Sequence, residues 1–391
     1  MARVSPEIES FTRIKVLGIG NSGTNSVNHM VRSRIKGVEF ITVDTDAQKL
    51  HLSLASKKIH IGKNLTRGLG GGMNPEIGKK AAEETKEAIQ ETLKGADMVF
   101  IACGFGGGTA SGAAPVVAKI AKEQGILTIA IVTRPFTFEG AFRARIAEEA
   151  LMTLRDAVDA MIIIPNDRLF GLISRETSFL SAFQMCDDVL KQAVEGISDL
   201  ITIPGIINLD FADVKSVMQN AGSALMGIGS AQGENRAEEA AKMAINSPLL
   251  DLSIDGARGV LFAISGGENM TMLEVQAAAN IITESIDSEA KVIFGAINDD
   301  RLKKDEIKVT VIASGFPEGK NIRKPSLFQS IPPHPVESEN SAGKEKEKNK
   351  EKAAEGEPSP RGEAGRQGRE KLLEEDEESQ KAIPAFLRRK K

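Results

Sequence analysis

From Arg13 to Phe316 short β-branched and aliphatic runs alternate with longer stretches whose apolar positions recur at helical spacing. That alternation is the pattern of an α/β protein. In the first half, Ile14 to Leu17, Val38 to Val43, Met98 to Ala102, Ile126 to Val132 and Met161 to Ile164 predict strands. Each run is almost continuously apolar, as strands of a parallel sheet covered on both faces are. Helical patterning fills Pro75 to Leu93, with Asn74 placed to cap and Pro75 suited to a first turn, and also Glu139 to Val158. Ser178 to about Leu200 predicts one long helix, its apolar stripe made of Phe179, Leu180, Phe183, Val189, Leu190, Val194 and Ile197, ending before Pro204-Gly205. Beyond it, strands are expected at Ala224 to Gly229, Gly259 to Ile264, Val292 to Ile297 and Ile307 to Ala313, with helices near Arg236 to Asn246 and Thr271 to Ser285.

The pattern therefore divides the chain into a first α/β unit over residues 11–177, a central helix over 178–203 and a smaller α/β unit over 204–317. A length of 391 residues fits two domains and an extension. After Pro317 the pattern stops. From Lys344 to Glu378 about three residues in five are charged, so 318–380 is expected to be a disordered linker that cannot bury enough surface to offset its ordering entropy. Apolar side chains return in Ile383-Pro384-Ala385-Phe386-Leu387, followed by Arg388-Arg389-Lys390-Lys391, which makes 381–391 a candidate docking peptide.

Composition narrows the class. The aromatics are 16 Phe with neither Trp nor Tyr, so the cores must be aliphatic. A net charge of −4 gives no global reason to bind nucleic acid. Cys103 and Cys186 lie far apart with no metal-ligand spacing, and His29, His51, His60 and His334 show no pairing that suggests a hydride-transfer site. The apolar runs are strand-length, and the start lacks an apolar signal core; a soluble, cytoplasmic chain with no membrane span is expected.

Candidate chemistry lies in the glycines. Gly18-Ile19-Gly20-Asn21-Ser22-Gly23 leaves a strand and opens a helix, and Asp44 closes the next strand, the full dinucleotide fingerprint. Alone, it would point to a nicotinamide or flavin oxidoreductase. Yet Gly104-Phe105-Gly106-Gly107-Gly108-Thr109-Ala110-Ser111-Gly112 also runs from strand to helix, and Thr66-Arg67-Gly68-Leu69-Gly70-Gly71-Gly72-Met73-Asn74 precedes another helix start. Three such loops suit a triphosphate gripped from several sides, since glycines admit close backbone approach and helix N-termini offer N–H donors. None contains a P-loop lysine, so backbone donors, Mg2+ and Arg143 would meet the charge.

The middle loop resembles the tubulin/FtsZ signature, and similarity to the FtsZ family of division-ring GTPases extends over nearly the whole chain. Stretches that share it include Leu65-Thr66-Arg67-Gly68-Leu69-Gly70, Phe138-Glu139-Gly140 with Arg143, Ile164-Pro165-Asn166-Asp167, Asn208-Leu209-Asp210-Phe211-Ala212-Asp213 and Met226-Gly227-Ile228-Gly229. The resemblance implies a Rossmann-like GTP-binding domain. It places Gly20, Asn21, Gly23, Thr24, Gly106, Gly107, Gly108, Thr109 and Ala110 around the phosphates of GTP or GDP, and Glu139 and Arg143 near ribose and phosphate. Asn166 and Asp188 resemble the guanine readers, and Phe183 the residue that stacks on the base, with plain core packing its alternative. Asn208, Asp210 and Asp213 resemble the catalytic loop that one subunit offers to its neighbour's nucleotide in a head-to-tail filament, although Asp213 alone reads equally well as a helix N-cap. The terminal peptide resembles the family's docking site for membrane-linked division adaptors, which implies action at the mid-cell division site.

The chain departs from the family pattern at several points. Asn21 and Ser22 stand where glycines are common, Ala110 replaces a signature glycine, Asp44 and Asp187 stand where Asn is usual, and Lys381-Ala382 replaces an acidic residue. A positive φ at Ala110 would cost roughly 1 kcal/mol, and a place in a helix start very little.

Overall fold

The computed structural model describes residues 12–171, 177–203, 205–207, 209–247, 254, 256–299 and 301–316. Asn208, the linker and the terminal peptide lie outside these described residues.

The first half reads β1 (Ile14–Ile19), α1 (Gly20–Arg32), β2 (Val38–Asp44), α2 (Ala47–Leu52), β3 (Lys57–His60), α3 (Lys63–Thr66), α4 (Pro75–Glu84), α5 (Lys86–Leu93), β4 (Met98–Gly104), α6 (Gly108–Glu123), β5 (Leu127–Arg134), α7 (Ala141–Arg155) and β6 (Ala160–Pro165). The long helix α8 (Phe179–Thr202) follows. Then come α9 (Phe211–Met218), β7 (Gly222–Gln232), α10 (Arg236–Ile245), β8 (Gly259–Gly266), α11 (Met272–Glu284), β9 (Lys291–Asn298) and β10 (Glu306–Ser314). Every strand expected from the pattern is present, and so is every helical stretch, one of them in two pieces. The short edge strand β3 was not expected: it has four residues, two of them Lys, too brief and too polar to stand out by periodicity.

The strands form one sheet in the order β3-β2-β1-β4-β5-β6-β7-β10-β8-β9. All run parallel to their neighbours except β10, which is antiparallel to both β7 and β8. The central parallel strands β1, β4 and β5 are buried along nearly their whole length, which is why they read as unbroken apolar runs. On one face α4 to α7 cover the first half through Ala81, Ile89, Val117, Ile120, Leu151 and Leu154. On the other, α1 and α8 bury Val27, Met30, Leu190, Val194 and Ile197 in a core that also takes in Leu261, Ala263 and Ile312 from β8 and β10. The central helix thus underlies both halves of the sheet.

The stretch expected as a single helix over Pro75 to Leu93 is broken between α4 and α5. Thr85 leaves helical geometry (φ −108°, ψ 18°), and its hydroxyl donates to the Ala81 carbonyl while accepting from the Gly62 N–H. A Thr side chain that bonds local backbone competes with the helix in this way.

Candidate functional site

The three glycine loops meet at the C-terminal ends of the parallel strands. β1 passes into α1 without a spacer, and the turn needs φ +72° at Gly20, a conformation natural to glycine. A Cβ built on Gly20 would stand 3.3 Å from the Ala110 Cβ, so the starts of α1 and α6 are in contact. The 66–74 loop lies against the start of α6, where a Cβ on Gly108 would fall 2.7 Å from the Gly71 carbonyl oxygen, and behind it side chains at Gly78 of α4 or Gly112 of α6 would overlap the carbonyls of Gly108 or Pro75. Only bare backbone permits that approach. Thr109 and Thr45 share a hydroxyl hydrogen bond of 2.7 Å, and Thr66 Oγ1 donates to the Thr45 carbonyl, tying the end of β2 to the same point.

Three helices therefore begin side by side. Asn74 caps α4 as expected, its side-chain oxygen accepting from the Glu76 N–H at 3.0 Å. Neither α1 nor α6 has a side-chain cap. Their first N–H groups and their dipoles suit an anion. Gly107 has only open space where a side chain would be, whereas Gly23 is packed against the Ala102 carbonyl of β4. Asn21 is exposed in the first turn of α1, and the neighbouring Thr24 hydroxyl is buried without a hydrogen-bond partner. Ala110 lies inside α6 with no positive φ, so the departure from the glycine signature carries no backbone strain.

The residues assigned to the base and ribose lie on the adjoining strand ends and on α8. Arg143, at the start of α7, packs beside Gly106, where a Cβ would fall 3.3 Å from its own. Its guanidinium pairs with Glu139 at 2.9 Å, and Glu139 accepts from the Phe136 N–H. The Phe136 ring meets Phe138, Phe170 and Phe183 at centroid distances of 5.0–5.4 Å, and Phe183 meets Phe179 at 4.8 Å. Phe183 is 36% exposed, so this ring sits at the lip of an aromatic cluster rather than sealed in the core. Asn166, 7% exposed, follows β6 with an unpartnered Oδ1, a group whose burial is costly without a hydrogen bond. Burial pushes the Cys186 thiol of α8 up to about 12, which makes it a core group and not a nucleophile.

Asp44, the acid of the dinucleotide fingerprint, is placed unlike a ribose reader. It is 2% exposed, and its Oδ1 turns back to accept from the Thr45 and Asp46 N–H groups. Burial raises its carboxyl above the ordinary range.

Asp210 and Asp213 lie elsewhere. Asp210, not Asp213, is the N-cap of α9: its Oδ1 accepts from the Asp213 N–H at 2.8 Å, which puts Asp213 one turn in with its carboxylate free of capping duty. β7 follows α9 and pairs its first residue, Gly222, with Ala160, the first residue of β6. The α9 loop is thus at the N-terminal ends of the strands, opposite the glycine loops. Along α8 the separation from Phe183 to Thr202 is about 30 Å at 1.5 Å per residue.

Comparison with known proteins agrees with this layout. Residues 13–174 match the GTPase domain of the Tubulin/FtsZ family, and residues 222–317 match the C-terminal domain of the FtsZ family. The solved structure of an empty FtsZ dimer from M. jannaschii is 44% identical at a TM-score of 0.75, with 79% of this chain and 89% of that one covered. The chain belongs to the FtsZ family. CetZ2 of Haloferax volcanii, solved as a GTPγS-bound protofilament, shares the fold at 20% identity and a TM-score of 0.67, covering 79% of this chain and 95% of that one.

As an FtsZ-family member the chain is a guanine-nucleotide-binding GTPase, and the reading as a filament-forming GTPase holds over the oxidoreductase one. No described helix is long and apolar enough to cross a membrane. The sequence reading missed several residues at this site. Ser26 and His29 of α1 bond Asp187 and Asp188 of α8, and Thr45 bonds Thr109. Ser26 and His29, three apart on a helix entered from a glycine loop, share one face, and that spacing was the available signal.

Proposed function

We propose that this FtsZ-family chain binds GTP across the three glycine loops, with Asn166 and Asp188 reading guanine and Phe183 stacking on it, and hydrolyses it only at the junction with a second copy. The single observation that carries the reading is the placement of α9. Its loop leads toward β7 at the ends of the strands opposite the glycine loops, and α8 alone runs about 30 Å from Phe183 to Thr202. One copy cannot apply Asp213 to its own nucleotide. A second copy stacked head to tail can, and repetition of that contact gives a filament.

At such a junction the chain's groups have distinct tasks. Backbone N–H groups at the starts of α1 and α6 hold the phosphates, and Arg143, fixed by Glu139, adds positive charge. Asp210 holds the loop by capping α9, and the Asp213 carboxylate orients and polarises the attacking water. Phosphoryl transfer depends chiefly on positioning and charge stabilisation, so bringing these parts together switches turnover on. Among the described residues no cluster of three or more acidic, His or Cys side chains could cage a metal. That donor set fits a Mg2+ carried mainly by the nucleotide's phosphates and water, with Thr109, Thr45 and the unpartnered Thr24 hydroxyl as the neutral oxygens nearby. Mg2+ would supply neutralisation of phosphate charge.

In this reading residues 11–177 are the GTP-binding domain, 178–203 the central helix and 204–317 the domain that carries the catalytic loop. The linker and the peptide 381–391 tether filaments in the cytoplasm to a membrane-linked adaptor at mid-cell, many weak contacts adding through effective concentration. Loss of adaptor recruitment on Phe386→Ala, at unchanged charge, would support hydrophobic docking; loss only on raising salt would not.

The central test is Asp213→Ala. It should keep GTP binding and assembly and lose at least tenfold in phosphate release. Mixed with Asp188→Ala, which is impaired in nucleotide binding, it should regain activity at hybrid junctions. Failure of co-assembling subunits to rescue one another would overturn the shared site.

A further inference from the structure

The two edges of the sheet carry opposite charge. β3 closes one edge and β9 the other. From residue 32 to residue 60, the stretch that builds the β3 edge, six bases are exposed: Arg32, Arg34 and Lys36 at the turn from α1 to β2, Lys49 on α2, and Lys57 and Lys58 on β3. None of the three acids in that stretch is exposed. Glu39 is half-buried and pairs with Lys57 at 2.8 Å, Asp44 is buried, and Asp46 caps α2. Among the described residues the other five bases take part in no ion pair.

Basic residues on an edge strand keep other strands from pairing with it. That accounts for Lys57 and Lys58, but not for three bases around a turn or for Lys49 on a helix. Overall charge does not account for them either, since the chain carries a net −4. The half that ends in β9 is the reverse. From residue 234 to residue 290, seven acids are exposed among the described residues against two bases, Lys242 and Arg258, and Lys242 already pairs with Glu238 at 3.4 Å. Glu284, Asp287 and Glu289 come together at the turn from α11 to β9, and Lys291, which follows them, turns to Ser216 Oγ at 2.6 Å.

The turn into β2 and the turn into β9 both enter the N-terminal end of a strand, and the two strands run in the same sense through the sheet. Neither turn lies among the glycine loops. Each edge also leaves apolar side chains in solvent: Leu52, 70% exposed, and Leu54 on the basic edge, Val292 and Phe294 on β9. Apolar surface beside charges of opposite sign on two faces is what a specific protein contact uses, the charges setting partner and register.

We propose that the basic β3 edge of one copy docks on the acidic α11–β9 side of a second copy, so that filaments associate side by side. The contact joins two different surfaces of the same chain, so it does not close on itself and repeats from copy to copy. Each contact is weak, and many along two filaments act together. The inference rests on the head-to-tail filament proposed above and concerns a different surface, remote from nucleotide binding and from catalysis.

The test assembles the full chain with GTP at about 0.05 M and at about 0.3 M salt, which cuts the screening length by more than half. Filament width is read by negative-stain electron microscopy and bundling by low-speed pelleting. The unmodified chain should form bundles at the lower salt and single filaments at the higher. Arg32→Glu with Lys36→Glu should give single filaments at both, as should Glu284→Lys with Glu289→Lys, each with GTP binding unchanged. All four substitutions in one chain exchange the signs of the two surfaces and should bring the bundles back, which a folding defect in either pair would not allow. Bundles in either double variant at the level of the unmodified chain would overturn the proposal. So would single filaments from the fourfold variant, a result that would assign the basic edge to another anionic partner, such as a lipid surface. Single filaments of the unmodified chain at low salt would overturn this inference alone, and absence of filaments at any salt would overturn the filament reading and this inference with it.

Discussion

The two halves of the sheet are built from the same kinds of element and do different work. From β1 to β6 every strand points the same way, so the loops after β1, β4, β5 and β6 all open at one end. Ligand sites of open α/β sheets form at that end for this reason. In the second half β10 is inserted antiparallel between β7 and β8. β7, β8 and β9 still run one way, and the loops after them meet through Arg236, Asn269 and Asp305. What these loops bring together is an ionic fastening. The Arg236 side chain, 6% exposed, meets both oxygens of Glu274 at 2.6 and 3.1 Å. Arg301 ties Asp299 to Glu195 and Asp199 on α8. The difference teaches that strand direction brings loops together in both halves, while the residues of the loops, bare glycine backbone in one and paired charges in the other, decide whether an anion can be gripped there.

The comparison can be broken most severely at Gly112. A side chain there meets the Pro75 carbonyl, so Gly112→Val should force α4 from α6 at a cost of about 3 kcal/mol or more and abolish nucleotide binding. Gly107→Ala sharpens the point. Its backbone is extended, with φ −97°, and its Cβ would face open space, so thermal melting should be unchanged while GTP affinity falls. Equal melting losses in the two variants would show that the loops are merely packed turns.

A smaller effect is expected in the second half. The paired Arg236 guanidinium, with help from Thr271, holds the Glu274 carboxyl down to about 2 from its ordinary 4.5. A carboxylate lowered in the folded state contributes stability above its unfolded value and loses it as pH falls through the folded one. Urea titrations of the nucleotide-free protein should therefore show about 2 kcal/mol lost by pH 3 through this group. Glu274→Gln should be less stable at pH 6, because the buried Arg236 loses its two-oxygen carboxylate partner and keeps only Asp305 at 3.8 Å and the Asn269 oxygens, and should lose less on acidification. Parallel pH curves for the two proteins would remove Glu274 from the account.

The smallest effect belongs to Ala110. Because it sits in right-handed helix, restoring the signature glycine with Ala110→Gly should relieve nothing and cost about 0.5 kcal/mol in thermal unfolding. A gain in stability would mean that the Cβ is strained after all.

Much of this was legible in the sequence because its causes are local. Apolar runs at strand length, the Asn74-Pro75 start, the helix-spaced stripe of α8 and the glycine loops each depend on neighbours within a few residues. The capping role of Asp210 was missed, since Asp210 and Asp213 are both capping residue types and only backbone geometry shows where α9 starts. The break at Thr85 was missed because the hydroxyl's second partner, Gly62, is 23 residues away.

By itself, then, the sequence determined the strands, the long helix, the order of the loops and, through resemblance, the family. The tertiary structure alone decided which groups meet. Ser26 finds Asp187 across 161 residues of chain, Gly112 lies under Pro75, and the α9 loop stands at the ends of the strands opposite the glycine loops. Periodicity and propensity report the conformation of a segment. Contacts between distant segments are set by sheet order and strand direction, which no short window of sequence contains.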